Sequence, residues 1–187
     1  MIEVKNLEKS YDKNVVKDLS FHLEQGDIIV VMGESGVGKT TLLRLLLGLE
    51  TKDAGSIRMD DDNISVVFQE DRLLEQFDIV DNIRLVSGIS KESIFEEYKK
   101  ILPKDAFYKK IRDYSGGMKR RAAILRAVLY DSSAIFMDEP FKGLDYESKQ
   151  KTMQFVLDNR KGRTLILVTH DADEAEFFHP DKIITLA

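Results

Sequence analysis

A chain of 187 residues is long enough for one domain with a sizeable hydrophobic core and too short for two full domains. Its formal net charge of −5 argues against a broad basic surface, so we expect no nucleic-acid partner. The chain has no cysteine, which excludes disulfides, thiolate metal sites and cysteine nucleophiles. We expect a single globular domain over residues 1–187.

From this sequence we expect neither a secretory signal nor a membrane-spanning segment. Residues 1–6 lack the basic start and the apolar stretch of a signal peptide. The most apolar segment, Leu42–Leu49, contains Arg44 and is far shorter than the roughly 20 apolar residues that a membrane-spanning helix needs. We therefore expect a cytoplasmic protein that contacts a membrane only through another protein.

The first third of the chain predicts strands followed by a helix. Alternation in Ser20–Leu23 is typical of a half-buried sheet, and residues 10–14 carry turn signals. Asp27–Met32 is a continuous, mostly β-branched run that ends at a glycine, as expected for a strand buried on both faces. A helix from about Lys39 to Leu47 follows. The opening is therefore an antiparallel β region that leads into a buried strand.

The rest of the chain predicts more buried strands and one helical stretch. The further apolar runs that we interpret as strands are Ile64–Phe68, Ala134–Met137 and Thr164–Val168. No β-like run appears between Ile79 and Arg121, and Pro103 closes a helical pattern over residues 94–102. In this stretch we interpret Lys119-Arg120-Arg121 as a solvated helix face.

These elements predict an α/β fold with a parallel sheet. We divide the chain into a catalytic α/β core, residues 1–76 and 120–187, and a small α-helical insert, residues 77–119. No glycine- and serine-rich linker separates the two parts, so the insert should be a lobe of the same domain.

A phosphate-binding loop joins the buried strand to the helix. It consists of Gly33, Glu34, Ser35, Gly36, Val37, Gly38, Lys39 and Thr40. The glycines let successive N–H groups point inward, and the positive end of the following helix favours anionic phosphates. Lys39 supplies a cation for the β- and γ-phosphates, and the Thr40 hydroxyl is the expected Mg²⁺ ligand. With Thr41, this loop predicts a nucleotide site; a glycine turn without a ligand is the alternative.

Two acids end the buried run that starts at Ala134. Asp138 is expected to reach Mg²⁺, and Glu139 is expected to accept a proton from the attacking water or to orient it. Taken alone, such a pair can also be a cap for the next turn. Together with the phosphate loop, it favours phosphoryl chemistry.

A Ser-Gly-Gly motif at Ser115, Gly116 and Gly117 decides between the classes of phosphate-loop protein. A hydroxyl and free N–H groups before a helix suit an anion. The motif lies after the phosphate loop and some 20 residues before the acidic pair. In this order and spacing the chain resembles the ATP-binding cassette (ABC) ATPases along nearly all its length.

The resemblance extends to four other motifs. It implies that Tyr11 stacks on adenine, that Gln69 in Phe68-Gln69 touches Mg²⁺ and the attacking water, and that His170 contacts the γ-phosphate. Leu144-Asp145 resembles the loop that crosses the dimer interface in this family. A plain strand-end tyrosine remains the alternative for Tyr11.

Three positions depart from the family pattern. Tyr114 stands where leucine is commonest, Met118 where glutamine is, and Lys142-Gly143 where Ser-Ala is usual. None of these departures removes a catalytic atom. Lys142 is the one that could alter the coupling between two sites.

The resemblance implies a head-to-tail dimer, by expectation a homodimer, with two ATP molecules at the interface. The Ser-Gly-Gly motif of one subunit then covers the nucleotide on the phosphate loop of the other. A monomer should bind ATP but hydrolyse it poorly.

The leading functional hypothesis is a transport ATPase, peripheral on the inner face of the cell membrane, that drives a separate permease. The stretches Val67–Leu74 and Asp138–Phe141 resemble those of nitrate-, sulfonate- and taurine-type importers. One alternative is a soluble, non-transport ABC ATPase that acts on ribosomes or DNA. Another is a phosphate-loop kinase, which leaves the Ser-Gly-Gly motif and His170 unexplained.

Overall fold

The computed structural model describes residues 1–12 and 14–186, so Lys13, in the predicted turn, and Ala187 lie outside the described residues. The strands are β1 Ile2–Ser10, β2 Asn14–Leu23, β3 Ile28–Met32, β4 Ala54–Met59, β5 Ile64–Val67, β6 Ala134–Asp138, β7 Thr164–Val168 and β8 Lys182–Thr185. The α-helices are α1 Lys39–Leu46, α2 Ile79–Arg84, α3 Lys91–Ile101, α4 Gly116–Leu129, α5 Tyr146–Asn159 and α6 Ala172–Phe177. Short 3₁₀ turns lie at Lys104–Ala106 and Ile111–Asp113.

Within the described residues the strands form an antiparallel sheet and a parallel sheet. The antiparallel sheet has the order β2-β1-β4, and the parallel sheet has the order β5-β6-β7-β3-β8. The parallel pairings run β5 with β6, β6 with β7, β7 with β3, and β3 with β8. All carboxyl ends of the larger sheet therefore meet at one edge.

The parallel sheet is buried on both faces, because each central strand alternates between two hydrophobic cores. Val30 faces a core shared with helices α2 to α5, whereas Ile29 and Val31 face a core shared with β1, β2 and α1. The same alternation separates Leu165 from Ile166 in β7. A strand covered on both faces needs apolar residues at every position, which explains the continuous apolar runs of the sequence.

The predicted α/β fold is confirmed, and two strands were missed. Strand β4 is polar and mostly exposed, and β8 is an edge strand of four residues in which only Ile184 is buried, so neither shows the long apolar run of a central strand. Helices α2 and α3 share one core with the parallel sheet, as expected for a lobe of one domain. Helix α4 begins at Gly116 and crosses residue 119, so the insert boundary stays a prediction.

None of the helices in the described part of the chain is long and apolar enough to cross a membrane.

Candidate nucleotide-binding site

The predicted motifs gather at the carboxyl edge of the parallel sheet. The phosphate loop follows β3, and Gln69 follows β5. The strand register places Asp138 of β6 beside Val168 of β7, directly before Thr169-His170. In open α/β sheets ligands bind beyond this edge of the strands. The fold therefore brings together residues that the sequence separates by more than a hundred positions.

The phosphate loop requires its glycines for conformational and steric reasons. Gly33 has φ +148°, and an added Cβ would lie 2.6 Å from the Leu186 carbonyl oxygen. Gly38 has φ +114°, and its Cβ would lie 2.2 Å from Val15 Cγ1. A side chain at either position would need a rare left-handed conformation and would also clash. These glycines hold the loop close to neighbouring main chain.

Lys39 lies inside the curve of this loop. Its side chain is nearly buried, and Nζ donates hydrogen bonds of 2.8 Å to the carbonyl oxygens of Gly33 and Glu34. Lys39 also opens helix α1, whose first N–H groups have no partner within the helix. The loop thus combines an ammonium group with a helix N-terminus, which is a suitable environment for phosphate.

Thr40, Gln69 and Asp138 form one hydrogen-bonded cluster. The Thr40 hydroxyl donates to Asp138 Oδ2 over 2.7 Å and accepts from Gln69 Nε2 over 3.2 Å. Asp138 is almost fully buried, and burial raises the pKa of its carboxyl despite the hydrogen bond from Thr40. Its second oxygen, Oδ1, is buried and lacks a hydrogen-bond partner among the described residues.

This cluster fits a Mg²⁺ ion. Mg²⁺ prefers oxygen ligands and in nucleotide sites shares them with phosphates and water. The unpaired Oδ1 of a buried carboxylate and a threonine hydroxyl supply two such oxygens. In the described residues there is no group of three or more acids, histidines or cysteines that could hold a metal alone. The cluster therefore suits a metal that arrives with a nucleotide.

Glu139 occupies a strained position directly after β6. Its φ is +44°, which is unusual for a residue with a side chain, and its N–H donates to the Val168 carbonyl oxygen. The carboxylate is bonded on both oxygens, with Lys142 Nζ 3.0 Å from Oε2 and His170 Nδ1 3.1 Å from Oε1. Burial opposes ionisation, but these two partners outweigh it and lower the pKa of Glu139.

A cleft of about 260 Å³ lies over the phosphate loop. The predicted site residues that line this cleft are Tyr11, Ser35, Gly36, Gly38, Lys39, Thr40, Thr41, Gln69 and Glu139. The Tyr11 side chain is 56% exposed here, and the Lys9 ammonium lies 5.0 Å from its ring centroid. Glu34 and Val37 belong to the loop itself, where Val37 N–H donates to the Glu34 carbonyl oxygen.

The Ser-Gly-Gly motif lies outside that cleft. Ser115 is the exposed N-cap of α4, and its hydroxyl accepts from the Met118 N–H. Gly116 and Gly117 line a neighbouring cleft of about 450 Å³. His170 lines a third cleft and reaches the phosphate-loop cleft only through Glu139. The structure thus joins most predicted site residues but leaves Ser115–Gly117 facing solvent.

Arg120, beside the site, is the main residue whose environment the sequence analysis misinterpreted. It is buried, not solvated, because carbonyl groups from two distant loops surround its guanidinium. The main-chain oxygens to which it donates belong to Phe68, Gln69, Asp138, Glu139 and Pro140. Asp71 Oδ1 adds an ion pair at 3.3 Å. Arg120 therefore ties α4 to the segments that carry Gln69 and Glu139.

Arg121 also differs from the predicted solvated face. Its guanidinium donates to the carbonyl oxygens of Gly117 and Ile101, and burial lowers its pKa. Lys119 is half-buried and pairs with Glu75. Sequence periodicity could not reveal this, because the acceptors are carbonyl groups and carry no sequence signal.

Tyr114 occupies the interior of the helical region. Its hydroxyl donates to the Ala106 carbonyl oxygen over 3.0 Å and lies 3.0 Å from the Tyr98 hydroxyl. Since a hydroxyl has one hydrogen, Tyr98 is the donor in that pair. Burial raises the pKa of both phenols. This departure from leucine fixes the residue before Ser115 without entering the nucleotide cleft.

Lys149 of α5 supports the loop that carries His170. Its ammonium pairs with Asp171 and, at 2.8 Å, with Glu174, while Thr169 donates to Glu174 over 2.6 Å. A charged pattern of this kind is indistinguishable from a solvated helix face in the sequence. The bonds hold the turn after β7 against α5.

This site and fold define a class: a phosphate-loop nucleotide-binding cassette with a two-sheet core and a helical region. A model of the ABC transporter family matches residues 16–142, and the chain belongs to that family. It is an ABC ATPase, which binds and hydrolyses ATP. The predicted family and activity are thereby confirmed.

Curated relatives match the whole length of the chain. It is 35% identical over 99% of its length to an aliphatic sulfonates import ATP-binding protein of Paracoccus denitrificans, of which it covers 78%. It is 33% identical over 98% of its length to a taurine import ATP-binding protein of Yersinia pestis, of which it covers 79%. It is 32% identical, over its full length, to a phosphonates import ATP-binding protein of Fusobacterium nucleatum, of which it covers 88%.

Solved structures agree with the fold. The chain is similar to the dimeric structure of a bacterial ABC transporter cassette, with a TM-score of 0.85 at 28% identity. It is also similar to a dimeric post-hydrolysis cassette bound to ADP and Pi, with a TM-score of 0.84 at 26% identity. Each match covers 100% of this chain and 94% of the other.

Proposed function

We propose that this chain is the ATPase subunit of an importer, in which two copies bind two ATP molecules head to tail and drive a separate membrane permease. The names of the sulfonate, taurine and phosphonate import relatives support the import role. The dimeric cassettes to which the chain is similar support the assembly. The subunit would lie on the cytoplasmic face of the membrane, held there by the permease.

One observation carries the dimer proposal: each chain has two separate halves of a nucleotide site. The phosphate-loop cleft contains Lys39 and Thr40 but no part of Ser115–Gly117. Ser115–Gly117 forms an exposed helix N-terminus, and no acid of the described residues lies in its first turn. When two such chains lie head to tail, each half-site of one chain meets the other kind of half-site of its partner. The result is two complete sites in a closed two-fold dimer.

Lys39 and the loop N–H groups hold the β- and γ-phosphates, and the ring of Tyr11 stacks on adenine. Thr40 and Asp138 supply oxygens to Mg²⁺, with Gln69 beside them. Bound there, Mg²⁺ would neutralise charge on the phosphates.

Glu139 orients the attacking water or accepts its proton, since its carboxylate lines the same cleft as Lys39 and Thr40. His170 bonds the same carboxylate and contacts the γ-phosphate. Hydrolysis removes the contact through which the phosphate joined two subunits, so the dimer loosens and can do mechanical work.

Subunit mixing tests the shared site. Lys39→Ala disables the phosphate loop. Gly116→Asp places a carboxylate against the partner's phosphates, while its Cβ meets nothing within 4 Å and an acid in the first turn favours the helix. Each variant alone should be nearly inactive in phosphate release. Their equal mixture should recover about a quarter of the wild-type rate, because half of the dimers hold one intact site.

The control is a chain that carries both substitutions, mixed with the Lys39→Ala chain. No dimer in that mixture has an intact phosphate loop, so it should recover no activity. The shared-site proposal is refuted if the first mixture is no more active than its separate components.

The transport role is tested by purifying the tagged full-length chain from cell membranes with mild detergent. We expect a protein with several membrane-spanning helices to co-purify. Recovery of ribosomes or DNA in place of a membrane protein would contradict the transport role but leave the ATPase site untouched.

A further inference from the structure

Lys142 makes a direct contact with the proposed catalytic base. Its Nζ lies 3.0 Å from Glu139 Oε2, and its N–H donates to the Glu139 carbonyl oxygen over 3.3 Å. The two residues therefore stand at the ends of one turn and are joined by main chain and side chain. Glu139 is 8% exposed and Lys142 is 70% exposed, so a solvated cation meets a buried carboxylate.

The contact occupies one oxygen of the Glu139 carboxylate. Its other oxygen, Oε1, bonds His170. Neither Lys142 nor His170 lines the phosphate-loop cleft, although Glu139 does. Lys142 and His170 line neighbouring clefts, which Glu139 also lines. Each carboxylate oxygen is thus already engaged by a side chain, so Glu139 must release a contact before that oxygen is free to accept the proton of an attacking water.

We propose that Lys142 is a positioning residue that holds the Glu139 carboxylate in a resting orientation and thereby limits the rate of ATP hydrolysis. The inference rests on the proposed role of Glu139 as base. The pair opens before Glu139 engages the attacking water, and the ammonium returns to solvent. Lys142 makes no contact with nucleotide in this scheme.

The exposure of Lys142 makes such a device reversible. Because the Lys142 ammonium is solvated, water competes for it, and the pair contributes less free energy than a fully buried pair would. A fully buried pair would instead lock the base, since one partner would be left without solvation. The pair therefore slows hydrolysis modestly without preventing it.

The first test measures steady-state ATP hydrolysis by Lys142→Ala. We expect kcat to rise about two- to five-fold, the size expected from opening an exposed ion pair, with KM for Mg-ATP unchanged. Lys142→Arg keeps the cation and should restore the wild-type kcat. The matched control is Lys151→Ala, which breaks an exposed pair with Glu147 on α5 and should change neither constant. An unchanged or lowered kcat in Lys142→Ala would overturn the proposal.

The second test separates this role from a contact with nucleotide. In a Glu139→Gln background the ion pair is already lost, so adding Lys142→Ala should leave ATP-driven dimer formation unchanged. Weaker dimer formation would overturn the proposal and assign Lys142 to phosphate binding. Failure of the base role itself is distinguishable, because wild-type turnover would then persist in Glu139→Gln alone.

Discussion

The guanidinium of Arg120 donates a 2.7 Å hydrogen bond to the main-chain oxygen of Glu139. Arg120 also donates to the carbonyl oxygen of Phe68 over 2.6 Å, directly before Gln69. Its own helix, α4, begins with the Ser-Gly-Gly motif. One buried side chain thus connects the segment proposed to meet the partner's nucleotide with two segments proposed to meet the chain's own nucleotide.

Replacing Arg120 with methionine should destabilise the fold strongly. The substitution keeps most of the side-chain volume but leaves several buried carbonyl oxygens without a donor, at a cost of about 3–5 kcal/mol. Denaturant unfolding measures this cost. Arg112→Met is the matched control. Because Arg112 is exposed, this variant should lose less than about 0.5 kcal/mol of unfolding free energy. Equal losses in the two variants would show that the Arg120 network adds no stability.

The sequence was sufficient for the elements that have a strong local pattern. Strand β3, the phosphate loop and the start of α1 at Lys39 follow from a buried β-branched run and its glycines. Strand β4 could not be predicted, because its residues are exposed and polar and it is held by pairing with β1. Pairing of this kind is a tertiary effect that a local pattern does not carry.

The residues of the candidate site likewise divide into those that the sequence predicts and those that it does not. Acids and a histidine at strand ends are visible in the sequence because the chemistry needs those residue types. The network of Arg120 is not visible, since its acceptors are main-chain oxygens of Phe68 and Pro140, which any residue could supply. Likewise, Tyr114 was recognised only as a departure from leucine, and its buried partner Tyr98 lies on the distant helix α3.

Tyr114→Phe should lower stability without changing KM for ATP. It removes the donor to the Ala106 carbonyl oxygen and leaves the Tyr98 hydroxyl unpaired, which should cost about 1–3 kcal/mol. Thermal unfolding and steady-state kinetics measure the two quantities. The double variant with Tyr98→Phe should lose less than the sum of the single losses, because it removes both hydroxyl groups of the pair. Strict additivity would mean that the two phenols are not coupled.

A matched control for Tyr114→Phe is Tyr108→Phe. Tyr108 is 73% exposed, so loss of its hydroxyl should leave stability within about 0.5 kcal/mol of the wild type. A higher KM in Tyr114→Phe, with stability unchanged, would instead place Tyr114 in nucleotide binding.

Asp138→Asn should stabilise the nucleotide-free protein while lowering activity. The pKa of Asp138 is raised by burial, so the folded state binds its proton more tightly than the unfolded state, and the ionised carboxylate costs stability. Asparagine removes that cost at neutral pH. The advantage should shrink as the pH falls through the raised pKa, because the wild-type carboxyl then becomes neutral too. Thermal unfolding at neutral and acidic pH, without nucleotide, measures the effect.

The same variant tests the proposed Mg²⁺ site. An amide oxygen is a weaker Mg²⁺ ligand than a carboxylate, so Asp138→Asn should lower kcat by about 10²-fold or more and require a higher Mg²⁺ concentration. In the wild type, the Mg²⁺ requirement should rise at acidic pH, since a proton competes for Asp138. If Asp138→Asn needs the same Mg²⁺ concentration for activity as the wild type, this carboxylate is not part of the Mg²⁺ site.

Glu139→Gln should bind ATP, lose turnover and accumulate as a dimer. Glutamine keeps the shape of the side chain but is a far weaker proton acceptor, and loss of a general base typically costs about 10²- to 10⁴-fold in rate. Because Lys39, Thr40 and the Ser-Gly-Gly motif stay intact, ATP should still join two chains. Phosphate release measures turnover, and size-exclusion chromatography with and without ATP measures the dimer. Glu147→Gln, on the exposed face of α5, should hydrolyse ATP at the wild-type rate.

The two readouts of Glu139→Gln distinguish the steps of the reaction. Lost turnover with an ATP-dependent dimer assigns Glu139 to the chemical step, after both halves of the site have met. Lost turnover without a dimer would show that the Glu139 carboxylate also supports closure, since it joins the end of β6 to His170, which follows β7. Undiminished turnover would require another base, and the candidate next to Glu139 in the structure is His170, 3.1 Å away.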